Sequence, residues 1–232
     1  MPSEPPQAVL FDAVLFDMDG TLVDTEGLWW QATAAVARTL GVELGPADTP
    51  DVLGRAAEDV AAHLLATAEP GPLATAQPDP SPTGRARHLP DTAHRLSSIA
   101  RQLIDAFAAR ITKQPGGVPL IPGALDLLGE LHAEGIPTAL VSASPRSIVH
   151  LVLPQLDHDF NLILTAEDTA RGKPHPDPYL TAANRLGVDP RRCVAIEDSP
   201  TGIAAATAAG CRVMVIEAVH GLPSLHSLRD VT

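Results

Sequence analysis

The sequence predicts an α/β chain: a Rossmann-like, doubly wound parallel sheet with an all-helical domain inserted into it. Three observations carry this reading. Five short β-branched or aliphatic runs, Val14 to Phe16, Thr138 to Val141, Leu162 to Leu164, Val194 to Ile196 and Val213 to Ile216, alternate with stretches of helical character, the order of a parallel sheet. The runs are apolar nearly throughout, as strands covered by helices on both faces are. About a hundred residues, Thr25 to Gly135, separate the first run from the second, where a simple crossover needs only a few tens.

In chain order, residues 8–25 hold the first strand and the turn after it. The AVLFD of Ala8 to Asp12, echoed at Ala13 to Asp17, is too short for a repeat architecture. Residues 26–117 form the insertion. Its segments Leu28 to Leu40, Ala56 to Ala68 and Thr92 to Thr112 carry Ala, Leu and Arg at helical spacing with almost no strand signal. Between the last two, residues 69–90 contain six prolines in 22 residues and read as a flexible, solvated loop with a basic cluster at Arg85, Arg87, His88, His94 and Arg95 at and beyond its end. Residues 118–232 return to the sheet. Their helical stretches, Gly123 to Glu134, Pro145 to Leu153, Pro176 to Leu186 and Pro200 to Ala209, open at or near a proline, which suits a first helical turn.

Composition narrows the function. With 28 Asp and Glu against 16 Lys and Arg, the 232-residue chain carries a formal net charge of −12, which repels phosphate backbones and argues against binding nucleic acid or an anionic membrane surface. Cys193 and Cys211 make neither a disulfide framework nor a four-ligand zinc site and read as small core residues. The opening MPSEPPQA has no basic residue and there is no apolar run of transmembrane length, so the expected compartment is the cytoplasm.

The first strand ends in FDMDGTLVDTE, placing Asp17 and Asp19 about a Gly-containing turn with Met18 between them. Two carboxylates at i and i+2 offer hard oxygens suited to Mg²⁺. A calcium loop beginning at Asp17 would need Gly and Glu where Leu22 and Leu28 stand. The second run ends in VSASPR, leaving Ser142 and Ser144 beside a helix N-terminus able to hold an anion. The fourth ends in IEDSPTG, with Glu197 and Asp198 at its tip. Ligands of open α/β sheets bind outside the carboxyl ends of the strands. Lys173, one of only two lysines against 14 arginines, stands in the Pro-rich GKPHPDP after the third run, where an ammonium can neutralise a phosphate oxygen and a neighbouring carboxylate.

DMDGT, Ser142 in VSASP, Lys173 in GKPHPDPYL and Asp198 in IEDSPTG, in that order, resemble the motifs of haloacid dehalogenase-superfamily phosphatases with a helical cap inserted after the first strand. The resemblance spans about residues 10 to 217. It implies that Asp17 is the nucleophile that becomes an aspartyl phosphate, and that Asp19 protonates the leaving oxygen and then activates water. Asp198, Asp17 and the Asp19 carbonyl would hold Mg²⁺. Ser142, Lys173 and the Ala143 backbone would clamp the phosphate, with Glu197 and Thr21 in support.

Within that family the presence of Asp19 favours a phosphate ester over a haloacid, and Lys113 lacks the surroundings of an imine-forming lysine. Sugar-phosphate mutases of the β-phosphoglucomutase type share all four motifs, but a histidine usually stands where this chain has Trp29, so hydrolysis is expected over mutation. In the cap, Trp29, Gly54 and Arg55 (Gly54 and Arg55 within DVLGRAAED) are candidate substrate contacts. Gly27, Gly116 and Gly117, in linkers Thr25 to Gly27 and Gln114 to Gly117, could absorb a hinge rotation. A monomer acting on a small phosphorylated metabolite is expected; a catalytically idle binder of such a metabolite or of a partner protein is the alternative that Asp17, Asp19 and Asp198 together argue against.

Overall fold

A computed structural model of the protein describes residues 11–68 and 92–229. The Pro-rich segment 69–90, with Arg85, Arg87 and His88, and residues 8–10 lie outside the described residues.

Five strands form one parallel sheet: β1 (Ala13–Phe16), β2 (Thr138–Val141), β3 (Leu162–Leu164), β4 (Cys193–Glu197) and β5 (Arg212–Val215), in the order β3-β2-β1-β4-β5. Between strands run α5 (Ala124–Ala133), α6 (Arg146–Val152), α7 (Asp177–Leu186) and α8 (Pro200–Ala209), and α9 (Leu225–Arg229) follows β5. The three inner strands β1, β2 and β4 are buried along their whole length, whereas the edges β3 and β5 are largely half-exposed. The chain winds from β1 out to β3 and returns to the other side of β1 at β4, so the reversal of strand order falls at β1 and β4. That reversal opens a crevice at the carboxyl ends.

Helix ends follow their sequence cues. Ser199 caps α8 by accepting the Gly202 N–H at 3.1 Å, Pro200 occupies the first turn, and Gly210 ends the helix at a φ of 88°. On one face of the sheet Leu15, Ala139, Val141 and Ala195 pack with Tyr179, Ala182, Ala205 and Ala206 of the covering helices. Cys193 and Cys211 lie in the same cluster, unpaired, and burial pushes their thiols up to about 12 and about 11. Among the described residues no helix is long and apolar enough to cross a membrane.

The chain divides into two compact units, one holding the sheet and the other running Leu28–Arg110. The second contains the greater part of α1 (Glu26–Thr39) and α4 (Thr92–Thr112), and all of α2 (Thr49–Val52) and α3 (Ala57–Thr67), around Val36, Val52, Val60, Leu64, Ile99 and Leu103. The insertion drawn from sequence as 26–117 is thus longer than this unit. Just outside the drawn bounds the two ends of the sheet unit's chain pair with one another, Asp24 N–H donating to Pro119 O at 2.8 Å and Ile121 N–H to Leu22 O at 2.9 Å, and Val118 N–H donates to Gln155 Oε1 at 2.6 Å.

Candidate active site

The end of β1 places the first carboxylate. Asp17 N–H donates to Ile196 O at 3.1 Å, which ties Asp17 to the register of β4. Gly20, at a φ of 85°, then folds the chain back, with its N–H on Val23 O at 2.8 Å. A Cβ on Gly20 would strike the carboxylate of Asp198, so glycine is needed both for the turn and for the approach of the two loops. Thr21 Oγ1 donates to Asp198 Oδ1 at 2.9 Å.

Lys173 Nζ, with its side chain only 4% exposed, donates at 2.6 Å to both Asp17 Oδ1 and Glu197 Oε1. Glu197 is fully buried. Its Oε1 also accepts the Tyr179 hydroxyl, its Oε2 accepts Ser199 Oγ at 3.2 Å, and its carboxylate lies where a Cβ on Gly202 would be. Burial pushes the Asp17 carboxyl well above the usual range, with Lys173 opposing and the nearby carboxylates reinforcing. Burial alone would lower Lys173, but the Asp17 and Glu197 charges outweigh it and raise it, so the ammonium persists.

Asp17, Glu197 and Asp198 can bring one oxygen each to within 4.8 Å of one another. Three carboxylates therefore face one ammonium, and burial raises Asp198 to about 6. A hard-oxygen group short of positive charge fits a divalent cation such as Mg²⁺. Glu197 has both oxygens engaged by Lys173, Tyr179 and Ser199, which leaves Asp17 and Asp198 as the side chains to hold it. Asp19 is placed differently: its Oδ1 accepts Thr25 Oγ1 at 2.6 Å and its Oδ2 accepts Ser144 Oγ at 2.7 Å. Burial raises this carboxyl, against the two hydroxyl hydrogen bonds. The Asp19 carboxylate does not belong to the Asp17, Glu197 and Asp198 group.

At the tip of β2, Ser142 N–H donates to Leu164 O at 3.0 Å and Ser142 Oγ accepts the Ser144 N–H at 2.9 Å. The Ala143 N–H has no partner among the described residues. The helix N-terminus expected there as an anion site is partly occupied. Glu167 accepts the Arg146 N–H with both oxygens, at 3.0 and 3.1 Å, and the Arg146 guanidinium pairs with Asp168 at 2.8 Å. A carboxylate from β3's loop thus caps a helix of seven residues.

A family model of haloacid dehalogenase-like hydrolases matches residues 11–210. The chain belongs to this family. Hexitol phosphatase B of Escherichia coli (strain K12) is 33% identical over 209 residues, covering 89% of this chain and 83% of that protein. A phosphoglycolate phosphatase of Shigella boydii serotype 4 is 34% identical over 204 residues, covering 85% and 78%. Among solved structures, CbbY from Rhodobacter sphaeroides in complex with phosphate is 28% identical, with a TM-score of 0.69 and coverage of 93% and 89%.

For a haloacid dehalogenase-like hydrolase, the sequence motifs Asp17, Asp19, Ser142, Lys173, Glu197 and Asp198 all come from the sheet unit and meet at the carboxyl ends of β1, β2 and β4 or the loop after β3. Trp29, Gly54 and Arg55 lie in the helical unit. There the Trp29 indole N–H donates to Val52 O at 2.8 Å and its ring meets Phe107 edge-on at 5.2 Å, a packing role. Arg55 is exposed, with Nε on Pro50 O at 3.1 Å, and Gly54 is exposed at a φ of 66°. Ser144, read from sequence as part of an anion site, instead holds Asp19, and three participants had no place among the sequence candidates for the site: Thr25 on Asp19, and Tyr179 and Ser199 on Glu197. Tyr179 is the only tyrosine in the chain, and a lone polar aromatic on an otherwise apolar helix face was the available signal.

Proposed function

We propose that the protein is a Mg²⁺-dependent phosphomonoester hydrolase that acts on a small phosphorylated metabolite through an aspartyl phosphate at Asp17. One observation carries the reading: Asp17 is buried beside Lys173 and Asp198, while Asp19, two residues on, has a raised carboxyl held by two hydroxyls. In the first half-reaction an Asp17 oxygen bonds to phosphorus as the ester P–O bond breaks, and Asp19 gives its proton to the leaving alcohol. In the second, Asp19 takes a proton from water, which attacks phosphorus, releases phosphate and restores the Asp17 carboxylate. Lys173, Ser142 and the Ala143 N–H bind the phosphoryl oxygens. Asp17, Asp198 and the Asp19 carbonyl would hold Mg²⁺, which supplies positive charge opposite those oxygens. Glu197 holds Lys173, and Thr21 holds Asp198.

The names of the relatives support a hexitol phosphate or another small organic phosphate as substrate. Trp29 brings no imidazole to the position where mutases usually have histidine, which supports hydrolysis over mutation. The proposed setting is the cytoplasm, a reading supported by the two unpaired buried cysteines, and the expected state is a monomer. The test is phosphate release from a panel of hexitol phosphates, phosphoglycolate and aldose 1-phosphates, with Mg²⁺ and with chelator. Release that needs Mg²⁺ is expected; no release from any ester, or isomerisation of an aldose 1-phosphate faster than its hydrolysis, would overturn the proposal.

A further inference from the structure

Tyr179 lies on α7, fully buried, and touches none of the reacting groups directly. Its hydroxyl donates to Glu197 Oε1, the same oxygen that accepts Lys173 Nζ, and its ring lies under that ammonium, 5.3 Å from Nζ to the ring centre. One side chain therefore holds Glu197 through its polar tip and Lys173 through its π-face. Glu197 also accepts Ser199 Oγ at the N-cap of α8, and Gly202, having no Cβ, leaves room for its carboxylate. Lys173 divides its grip between Glu197 and Asp17 at equal distances of 2.6 Å. Any loss of donors to Glu197 strengthens the claim of that carboxylate on the ammonium at the expense of Asp17.

We propose that Tyr179 is a positioning residue of this phosphatase: by hydrogen-bonding Glu197 and supporting Lys173 from below, it sets how strongly Lys173 holds the Asp17 nucleophile and the transferring phosphoryl group. The proposal rests on the phosphatase reading. Tyr179→Phe isolates the hydroxyl, since the ring that packs in the core and faces Lys173 is kept. The hydroxyl matters to the transition state through Lys173 and makes no contact with a substrate, so kcat falls about ten-fold while KM stays within about two-fold. In a Glu197→Gln background the same substitution costs less than about two-fold, because the carboxylate through which it acts is already gone. Melting curves of each variant give the folded fraction at the assay temperature.

Because Tyr179 is the only tyrosine, growth on 3-fluorotyrosine labels this site alone and gives a single ¹⁹F resonance. That resonance is expected to shift in Glu197→Gln and in Lys173→Met without substrate, and in the wild type when Mg²⁺ and inorganic phosphate are added. A Tyr179→Phe enzyme with unchanged kcat would overturn the proposal. So would a loss confined to KM, a loss of equal size in the Glu197→Gln background, or a ¹⁹F resonance unmoved by the Lys173 and Glu197 variants. A wild-type protein that hydrolyses no ester, but whose resonance responds to both variants, would sink the phosphatase reading and leave the Tyr179 to Lys173 linkage standing.

Discussion

The two ends of the sheet use the same residue types to opposite effect. At the carboxyl ends of β1 and β4, Asp17 and Glu197 share one buried ammonium and Asp198 lies close to both carboxylates. At the amino ends of the same strands, Asp12 and Asp189 each have a guanidinium of their own: Arg192 grips Asp12 with two nitrogens at 2.5 and 2.6 Å, and Arg191 reaches Asp189 at 2.7 Å in solvent. Hydrogen bonds from Arg191 bring the Asp189 carboxyl down to about 2, whereas burial takes Asp198 up to about 6. Balanced charge in water makes a structural clasp. Unbalanced carboxylates out of water make a cluster with raised carboxyls that fits a divalent cation.

The largest expected contrast is in rate. Asp17→Asn should lower phosphate release by on the order of 10⁴-fold or more, and Asp19→Asn by about 10² to 10⁴-fold. Asp189→Asn should leave it unchanged; steady-state assays on one shared substrate decide this, and a nearly active Asp17→Asn enzyme would erase the distinction between the ends.

Next comes stability. Lys173→Met leaves Asp17 and Glu197 buried without their counter-charge, an expected loss of about 3–5 kcal/mol. Arg192→Met removes a partner from a solvent-screened pair and should cost far less than Lys173→Met. Urea titration of both variants in chelator measures the gap, and equal losses would mean that burial does not set the two ends apart.

The smallest effect is in pH dependence. An Asp titrates near 3.9 when unfolded, so the raised Asp198 gives the metal-free fold stability that is full below about pH 4 and is lost as pH rises through about 6, on the order of 2 kcal/mol. The depressed Asp189 has the reverse sign: its contribution is present above about pH 4 and is lost as pH falls through about 2. Melting temperatures of the chelated protein between pH 4 and 7 should therefore decline less steeply in Asp198→Asn and unchanged in Asp189→Asn. Added Mg²⁺ should flatten the wild-type decline.

Much of the site was legible because its motifs sit at strand tips and each tip is announced by an apolar run. The strands and main helices follow from periodicity and proline placement, while α2 and α9, of four and five residues, are too short to show a helical period. What escaped were the links between motifs. Ser144 meets Asp19 from 125 positions away, Tyr179 meets Glu197 from 18, and Arg192 reaches Asp12 across 180. Such pairs are set by the order of strands in the sheet. Glu167 on the Arg146 N–H is of the same kind: the helix start was readable, but the carboxylate that caps it comes from the neighbouring strand's loop.

The central claim is that Asp17 carries the phosphoryl group. It is tested most directly by acid-quenching the enzyme during turnover of its best ester with Mg²⁺ and mapping the digest by mass spectrometry. A phosphoryl group on the peptide containing Asp17, absent in Asp17→Asn, is the expected result. Turnover with that peptide never phosphorylated, in the wild type or in an Asp19→Asn variant slowed at the second step, would contradict the account.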